Sequence, residues 1–471
     1  MDNPKLEESA RSPNMTDSPA FPVVYPSTML MLNSRLPISR LPVEILLNIF
    51  FKTLPNHTEV TENPSYSILQ VISICSVCSY WRKITLDHPS FWSHVVLDDR
   101  KKAPCDIASL CLERSQGNLV DVSVQLHDSR NLDPTIPFST VQNFRSLSIS
   151  VTSLVRMESE LKWSVGGSIV AKGVPGSLRH LAIAYELDGY SSHSAPSFHS
   201  WRLTHDPLWD ARYIQAIFEQ LHTLKISGIK CIPPSCSYHN LQMLELGKPC
   251  SIEAFSMVQP TACNLVTLKL GLSSSSFERY EVKNPKPALP ASLKKVYISA
   301  SLIIFCTFLD SFSLGDHEIE LESKLATFHQ PHPAQLHSMR AVSTLIITSL
   351  GTLTEEHLHA TLRFLPGVHT LVLRNLRLNR PRLFAMTAQS ATLETPTLPF
   401  PRIVCLELHG CCIENGRAFK ALVNDHPISR LRVSHCLVKW GESGVMLGFS
   451  SSSAYKWLSG ISPGMSLTVN E

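Results

Sequence analysis

Near the beginning of the chain, apolar residues recur at the spacing of an amphipathic helix. Ile45, Leu46, Ile49 and Phe50 lie at intervals of one, three and one residues, which predicts a helix with one broad apolar face. Pro42 suits the first turn of that helix, because a backbone N–H there would have no intrahelical partner. Such a helix needs a second surface to cover its apolar side.

A second periodic stretch follows a predicted loop over residues 52–65. The apolar positions that keep helical spacing are Ile74, Val77, Cys78, Trp81 and Ile84. We therefore predict a helix here, which ends before Pro89, and a strand over His94–Leu97. A unit of about 60 residues buries too little surface to be robust alone. These helices should complete their core against the rest of the chain or against a partner.

Three blocks of residues in this region together resemble the F-box family. The blocks are Leu41-Pro42-x-Glu44-Ile45-Leu46-x-x-Ile49-Phe50, Val77-Cys78-x-x-Trp81-Arg82 and Pro89-x-x-Trp92. Their order and the spacing inside each block agree with the family, whereas the loop between the first two blocks is longer than the family usually carries. The resemblance covers only this small part of the 471-residue chain.

The resemblance to the F-box implies a partner and a role. An F-box binds a Skp-type adaptor and, through it, a cullin, so the chain is expected to be the substrate-recruiting subunit of a Skp–cullin–F-box ubiquitin ligase. By the same resemblance, the residues that would form or support the adaptor-binding surface are Leu41, Pro42, Ile45, Leu46, Ile49, Val77 and Trp81. The alternatives are an F-box scaffold outside any ligase and a plain leucine-rich-repeat protein-binding module.

Beyond this region, a phrase with apolar residues at its first, fourth and sixth positions occurs ten times. The occurrences begin at Phe144, Leu178, Leu221, Leu241, Leu265, Leu293, Val342, Val368, Ile403 and Ile428. The phrase is similar to the strand portion of a leucine-rich repeat, in which each repeat buries its apolar side against the next. Segments between phrases have helical patterns, as at residues 210–220. Strands that alternate with helices predict an α/β solenoid with a parallel sheet.

The phrase also departs from a regular leucine-rich repeat. Successive phrases begin 20 to 49 residues apart, whereas the regular repeat is roughly 20–29 residues long. Four of the nine intervals would therefore contain insertions. The asparagine or cysteine of the full consensus is missing, although Cys411 and Cys436 lie near its place. A compact, non-repetitive α/β domain is the alternative interpretation of the pattern.

In such an array, the residues that flank the last two apolar positions of each phrase, and the one between them, face the concave surface. The candidates for contact with an unidentified protein target are Lys225, Glu245, Lys269, Tyr297, Arg374, Glu407, His409 and Arg432. This mixture of charges suits a protein ligand better than a polyanion. For any single residue, an ordinary solvated strand position is the alternative.

The sequence divides into five predicted segments, which together make an α+β protein: a small all-α module followed by the α/β solenoid. The segments are a disordered leader (1–34), the F-box helical module (35–97), a connecting helix and first strand (98–140), the solenoid (141–440) and a C-terminal cap or tail (441–471). In the third segment, a helix over Asp106–Arg114 should bury Ile107, Leu110 and Cys111 on one face. Residues 119–126 should form a half-buried strand.

Composition excludes some classes of function. The net charge is only +3, from 42 basic and 39 acidic residues, which gives no electrostatic case for nucleic acid or a membrane surface as partner. The 13 cysteines are odd in number and scattered, and no secretion signal opens the sequence. We therefore expect reduced thiols in an intracellular protein, cytoplasmic and/or nuclear.

No group of residues predicts catalysis or metal binding above background. Cys75 and Cys78 form a single C-x-x-C pair within an apolar helical pattern, so core packing is the favoured interpretation. Cys231, Cys236 and His239 would need a fourth zinc ligand, which no spacing identifies.

The letters Gly460-x-Ser462-x-Gly464 match a nucleophile elbow, but no Asp or His follows them. We therefore expect a protein that is not an enzyme and that has no cofactor and no metal.

Overall fold

The chain divides into two compact units, Met1–Phe91 and Trp92–Glu471. The structure is a computed structural model. The residues that it describes are 37–54, 65–98, 104–127, 143–152, 177–186, 201–202, 211–228, 231–232, 236–248, 252–277, 285–323, 338–348, 361–362, 364–378, 401–414, 419–420, 423, 426–440, 445–448, 456–457, 459–460 and 465–470. The predicted leader at 1–34 lies outside them.

The described part of the first unit is a helical module with an aromatic core. Its helices are α1 (Val43–Thr53), α2 (Ser65–Val77) and α3 (Ser79–Asp87), and short 3-10 helices lie at Pro37–Arg40 and Pro89–Trp92. Leu46 and Phe50 of α1 are fully buried. The ring of Phe50 lies 4.7 Å from that of Trp81 and 6.3 Å from that of Phe91, centroid to centroid. These contacts tie α1 to α3 and to the turn that follows it.

The second predicted helix is divided in two at Cys78, so the prediction of one helix over this stretch was wrong. Cys78 has an extended backbone, and its Sγ accepts a hydrogen bond from the backbone N–H of Trp81 at 3.4 Å. Cys78 is thus the N-cap of α3 and only half-buried. The apolar periodicity runs through the break unchanged, so spacing alone could not reveal it. Helix α1 also extends to Thr53, one residue beyond the start of the predicted loop.

The second unit is built on strands that alternate with short helices. The described strands are β1 (His94–Asp98), β2 (Val120–Leu126), β3 (Phe144–Thr152), β4 (His180–Glu186), β5 (Trp201–Arg202), β6 (Thr223–Ser227), β7 (Cys231–Ile232), β8 (Met243–Leu246), β9 (Thr267–Gly271), β10 (Lys295–Ser299), β11 (Ile319–Ser323), β12 (Val342–Thr348), β13 (Thr370–Arg374), β14 (Arg377–Leu378), β15 (Cys405–His409), β16 (Cys412–Ile413), β17 (Arg430–Ser434), β18 (Leu437–Trp440), β19 (Val445–Gly448) and β20 (Ser466–Asn470). The helices are α4 (Pro104–Arg114), α5 (Ala211–Glu219), α6 (Ile252–Val258) and α7 (Leu302–Ser311).

Fourteen of the described strands form one long sheet, in the order β1-β2-β3-β4-β6-β8-β9-β10-β11-β12-β13-β15-β17-β20. Neighbouring strands in it are parallel, and the chain passes from one to the next along the sheet. This α/β, solenoid-like arrangement confirms the predicted fold class. Two small sheets contain the strands β14-β16-β18-β19 and β5-β7. In the sequence, most of these strands directly follow a strand of the long sheet.

All ten predicted phrases coincide with strands of the long sheet. Their fourth and sixth positions pair across neighbouring strands from β3 to β10 and from β12 to β17, whereas the register shifts in β11, between Ile319 and Glu320. Leu224, Leu244, Leu268 and Val296 each occupy the fourth position of a phrase and pair in succession across β6, β8, β9 and β10. All four are buried. Side chains alternate in direction along a strand, so the residue between the fourth and sixth positions of a phrase points to the opposite side of the sheet. We call this side the exposed face of the long sheet.

The register reveals a strand that the sequence pattern missed. In β11, Ile319 and Leu321 pair with Val296 and Ile298 of β10, at the fourth and sixth positions of a phrase. The first position is then Asp316, a polar residue, which concealed the phrase. The longest interval, from Leu293 to Val342, therefore contains a further strand of the long sheet, and the expectation of a mere insertion was wrong.

The long sheet also extends past both ends of the ten phrases. β1 and β2 precede the phrase at Phe144, and Val95 and Leu97 of β1 pair with Val122 and Val124 of β2. At the other end, β20 pairs with β17 from within the segment predicted as a cap or tail.

Two predictions about side-chain direction near β2 were wrong. In α4, Ala108 and Cys111 are buried, whereas Ile107 and Leu110 are exposed. Small residues make the inward face because α4 packs directly on β1, so residue size misled the assignment. β2 is buried at nearly every position rather than on alternate ones.

Among the described residues, no helix combines the length and the apolar character that crossing a membrane requires.

Replacing Leu321 tests whether β11 is part of the core. The side chain is fully buried, so Leu321→Ala should lower the free energy of unfolding by about 2–5 kcal/mol. The control is Glu320→Ala, an exposed position on the same strand, which should change it by less than about 0.5 kcal/mol. Urea denaturation followed by circular dichroism measures both. Equal, small effects would mean that β11 does not pack as described.

Candidate protein-binding surfaces

The helical module exposes apolar side chains from the same helices that form its core. On α1, Leu46 and Phe50 point inward, whereas Ile45 is 47% and Ile49 is 39% exposed. Val77, the last residue of α2, is 58% exposed. Apolar residues thus lie on two sides of α1, and only one side contributes to the core.

The seven residues predicted for adaptor binding differ in exposure. Pro42 is exposed together with Ile45, Ile49 and Val77, whereas Leu41 and Trp81 are half-buried. Leu46 is fully buried, so it can support such a surface but cannot contact a partner.

Further exposed apolar residues lie on the same helices and were not predicted as part of the surface. They are Val43, Phe51, Leu69, Ile72 and Tyr80. A signal for the two on α2 is present in the sequence, because that helix is apolar on nearly all sides: Leu69 and Ile72 alternate with the buried Ile68 and Val71. A helix of this composition leaves part of its apolar surface uncovered.

The exposed face of the long sheet carries ion pairs between neighbouring strands. Lys225 on β6 and Lys269 on β9 both approach Glu245 on β8, with Nζ–Oε2 distances of 3.9 and 3.7 Å. One carboxylate therefore serves two ammonium groups, which leaves an excess of positive charge here.

In a second cluster, Tyr297 and Arg374, which were predicted from the sequence, both contact Glu322, which was not. Tyr297 donates a hydrogen bond to Glu322, Thr348 donates one to the same carboxylate at 3.2 Å, and Arg374 Nη1 lies 3.8 Å from it. Glu322 lies on β11, the strand that the sequence did not reveal. The sequence therefore could not indicate that Tyr297, Thr348 and Arg374 share one partner.

The pKa values in this cluster follow from burial and hydrogen bonding. Burial opposes the charge of Glu322, but hydrogen bonds from Tyr297, Thr348 and Ser299 and the charge of Arg374 outweigh it and lower the pKa of this carboxyl group. Burial, together with the hydrogen bond to Glu322, raises the pKa of Tyr297. Glu322 is thus an anion that its surroundings already neutralise.

A third cluster lies on β15 and β17. Glu407 accepts a hydrogen bond from Arg432 at 2.8 Å, and its Oε2 lies 3.6 Å from His409 Nε2. The other ring nitrogen of His409 is 3.2 Å from Ser434 Oγ. Polar residues do not cover the whole face between the clusters, because Ile346 on β12 and Val372 on β13 point to the same side and are buried.

A cleft of about 820 Å³ lies on the exposed face over β8 to β12. Three of the eight predicted target-binding residues line it: Glu245, Lys269 and Tyr297. Lys225, Arg374, Glu407, His409 and Arg432 lie on the same face but do not line the cleft. The structure therefore does not gather the eight into one site; it distributes them over three clusters.

Two buried cysteines occupy the position that follows the strands β15 and β17. Cys411 Sγ donates to the carbonyl of Leu373 at 3.2 Å, and the backbone N–H of Cys411 donates to Cys436 Sγ at 3.2 Å. Cys436 Sγ in turn donates to the carbonyl of Ser434 at 3.2 Å. The thiols therefore satisfy backbone groups of successive strands inside the core.

The backbone repeats at this point as well. The residue that directly follows each of the strands β13, β15 and β17 has a left-handed φ value. The values are 55° at Asn375, 62° at Gly410 and 52° at His435. Three neighbouring strands of the long sheet thus end in the same bend.

Three features concern the alternative chemistries: possible metal ligands, Cys236 with His239, and the elbow-like motif. Within the described residues, no group of three or more His, Cys, Asp or Glu is arranged to hold a metal ion. Burial raises the pKa of the Cys236 thiol to about 11, and His239 Nδ1 lies 3.1 Å from Ser237 Oγ. Ser462 and Gly464 of the elbow-like motif lie outside the described residues.

The comparison with known families places the helical module in a class. The sequence model of the family described as F-box-like matches residues 38–98, a range that contains α1 to α3 and β1. The chain therefore carries an F-box-like domain, and domains of this kind generally bind Skp-type adaptors. A search of curated proteins finds none that matches the chain.

The lowered pKa of Glu322 predicts a pH dependence of stability. A carboxyl group whose pKa is lower in the folded state stabilises the fold above its unfolded pKa of about 4.3, and this contribution is lost as the pH falls through the folded value. At pH 7, Glu322→Gln should lower the free energy of unfolding by about 1–3 kcal/mol, because the hydrogen bonds then reach a neutral acceptor.

The difference between the wild type and Glu322→Gln should shrink toward pH 3, as urea denaturation at both pH values can measure. Glu320→Gln, on the same strand but exposed, is the control and should show no such trend. A difference that is constant with pH would contradict the described surroundings of Glu322.

Proposed function

We propose that the chain is the substrate-recruiting subunit of a Skp–cullin–F-box ubiquitin ligase. One observation carries the proposal: the F-box-like helices expose Ile45, Ile49 and Val77, while Leu46 and Phe50 already complete the core beneath them. Exposed apolar side chains that are grouped on one small module are typical of a protein interface. A Skp-type adaptor is the partner that the F-box-like domain favours.

We further propose that the second unit is a degenerate leucine-rich-repeat array that binds a protein target. The in-register phrases, the repeated left-handed bend at Asn375, Gly410 and His435, and the buried cysteines after the strands support this relation. In a leucine-rich repeat, a conserved asparagine or cysteine follows the strand. Cys411 and Cys436 meet backbone groups at the corresponding position.

The exposed face of the long sheet is the surface proposed for the target. It carries charges of both signs and a cleft, and such a mixture suits a protein better than nucleic acid, whose phosphates the carboxylates would repel.

In this proposal the chain contributes position rather than chemistry. Adaptor and cullin would hold the ubiquitin-charged enzyme, and the array would hold the target close to it, which raises the effective concentration of the target's lysines. The chain would need no catalytic group, cofactor or metal of its own. It would act in the cytoplasm, the nucleus or both, where its thiols stay reduced.

Charge substitutions on the helical module test the adaptor interface. Ile45→Glu together with Val77→Glu should reduce the recovery of a co-expressed Skp-type adaptor at least about tenfold, because two central interface residues commonly contribute about 2 kcal/mol or more each. Ile303→Glu is the matched control: this isoleucine is exposed on α7 of the second unit, and its replacement should leave recovery unchanged. Affinity purification followed by quantitative mass spectrometry gives the ratio.

Equal recovery from the double variant and the wild type would refute the adaptor interface. Adaptor recovery without any cullin, even with the proteasome inhibited, would instead favour an F-box scaffold that acts outside a ligase. Circular dichroism of each variant excludes unfolding as the cause of a loss.

A further inference from the structure

We propose that the cleft over β8 to β12 binds an extended segment of the target in which an acidic and a basic side chain lie two residues apart. The inference rests on the proposed function, since it deepens the target-binding role of the exposed face. Three features of the cleft support this inference: its floor, a positively charged wall and a negatively charged wall.

The floor of the cleft is made by small residues at the same position of three strands. Gly247, Gly271 and Ser299 each follow the last apolar residue of their phrase, and all three line the cleft. A Cβ at Gly247 would lie 2.6 Å from Ser227 Cβ, and one at Gly271 would lie 2.8 Å from the backbone nitrogen of Lys248. Side chains are therefore excluded here, and the cleft reaches down to the backbone.

One wall carries an excess of positive charge. Lys269 on β9 shares Glu245 with Lys225. Lys294 and Lys295, next to each other at the start of β10, are exposed and line the cleft. Within the described residues, the structure records no ion pair for either of them. A carboxylate that enters between Lys269 and Lys295 would gain two ammonium partners.

The opposite wall is acidic. Glu318, just before β11, and Glu320, on that strand, are exposed and line the cleft, and the described residues include no cation paired with either. Glu322, two residues further along, differs because it already accepts a hydrogen bond from Tyr297 and pairs with Arg374. The charge that remains available on this wall therefore belongs to Glu318 and Glu320, and a basic side chain complements it.

The distance between the walls sets the spacing of the ligand's charges. A carboxylate between β9 and β10 lies about one and a half strand spacings from Glu320 on β11, or roughly 7 Å. Side chains on one face of an extended peptide repeat every two residues, at about 6.6–7 Å. An acid-x-base pattern therefore matches the cleft, in which Tyr297 of β10 lies between Lys269 and Glu320.

Synthetic peptides test the pattern on the full chain purified with its adaptor. The probes are fluorescent 11-residue peptides of Gly, Ser and Ala that carry Asp-x-Arg, Arg-x-Asp, Asp-x-Asp or Arg-x-Arg at their centre, with the spacing varied from one to four intervening residues. Both orders of the mixed pair are included because an extended peptide can enter in either direction. In anisotropy titrations, a mixed pair with one intervening residue should bind at least about tenfold tighter than either same-charge peptide.

A change of charge on one wall should change the preference in a defined way. Glu320→Lys places a cation where the basic side chain of the ligand would bind, so Asp-x-Asp should become the best ligand. Lys295→Glu should favour Arg-x-Arg. Arg430→Glu, at an exposed position on β17 outside the cleft, is the matched control and should leave the ranking of the peptides unchanged. A merely structural role of Glu320 would weaken all peptides alike.

The outcomes separate this inference from the proposed function. If the wild type binds no peptide, or if Glu320→Lys keeps the wild-type ranking, the cleft does not read charge and the inference is wrong. Recovery of adaptor and cullin in the same preparations would then leave the ligase role standing. Loss of adaptor recovery would count against the proposed function whatever the peptides do.

Discussion

The second unit depends on one interaction: the burial of apolar side chains on each strand against apolar side chains of the next strand. Leu224, Leu244 and Leu268 illustrate it, since each is fully buried and paired in register with its neighbour. No strand in such a row can bury these residues alone, so each depends on the strands beside it. The same dependence explains why the sheet continues through β11 although its phrase begins with Asp316.

This constraint also creates the exposed face. A strand that turns two positions inward turns the positions between them outward, and parallel strands in register bring those outward residues side by side. Lys225, Glu245 and Lys269 become neighbours in this way although about twenty residues separate each from the next. Charges placed in register form clusters, and small residues placed in register form the floor of a cleft. The surface proposed for the target is thus a consequence of the way the core is built.

Much of this arrangement could be predicted from the sequence, because the phrase carries its own periodicity. The ten strands and the outward direction of Lys269 or Glu407 follow from that period. Asp316 hid β11 from the same reasoning, and with it Glu322, the common partner of Tyr297 and Arg374. The break at Cys78 was also hidden, because a side-chain cap changes the backbone without changing the apolar spacing. Tertiary packing, which sequence periodicity does not contain, decided that Ala108 rather than Ile107 faces β1.

The F-box-like helices present the complementary case, in which apolar residues remain outside a finished core. The account as a whole depends on another polypeptide covering them. Hydroxyl-radical footprinting of the full chain, with and without a purified Skp-type adaptor, measures this directly. The account predicts that the adaptor lowers the labelling of Ile45, Ile49 and Val77 and leaves that of Ile303 and Leu437, exposed in the second unit, unchanged. Unaltered labelling of the three helical residues in the presence of saturating adaptor would contradict it.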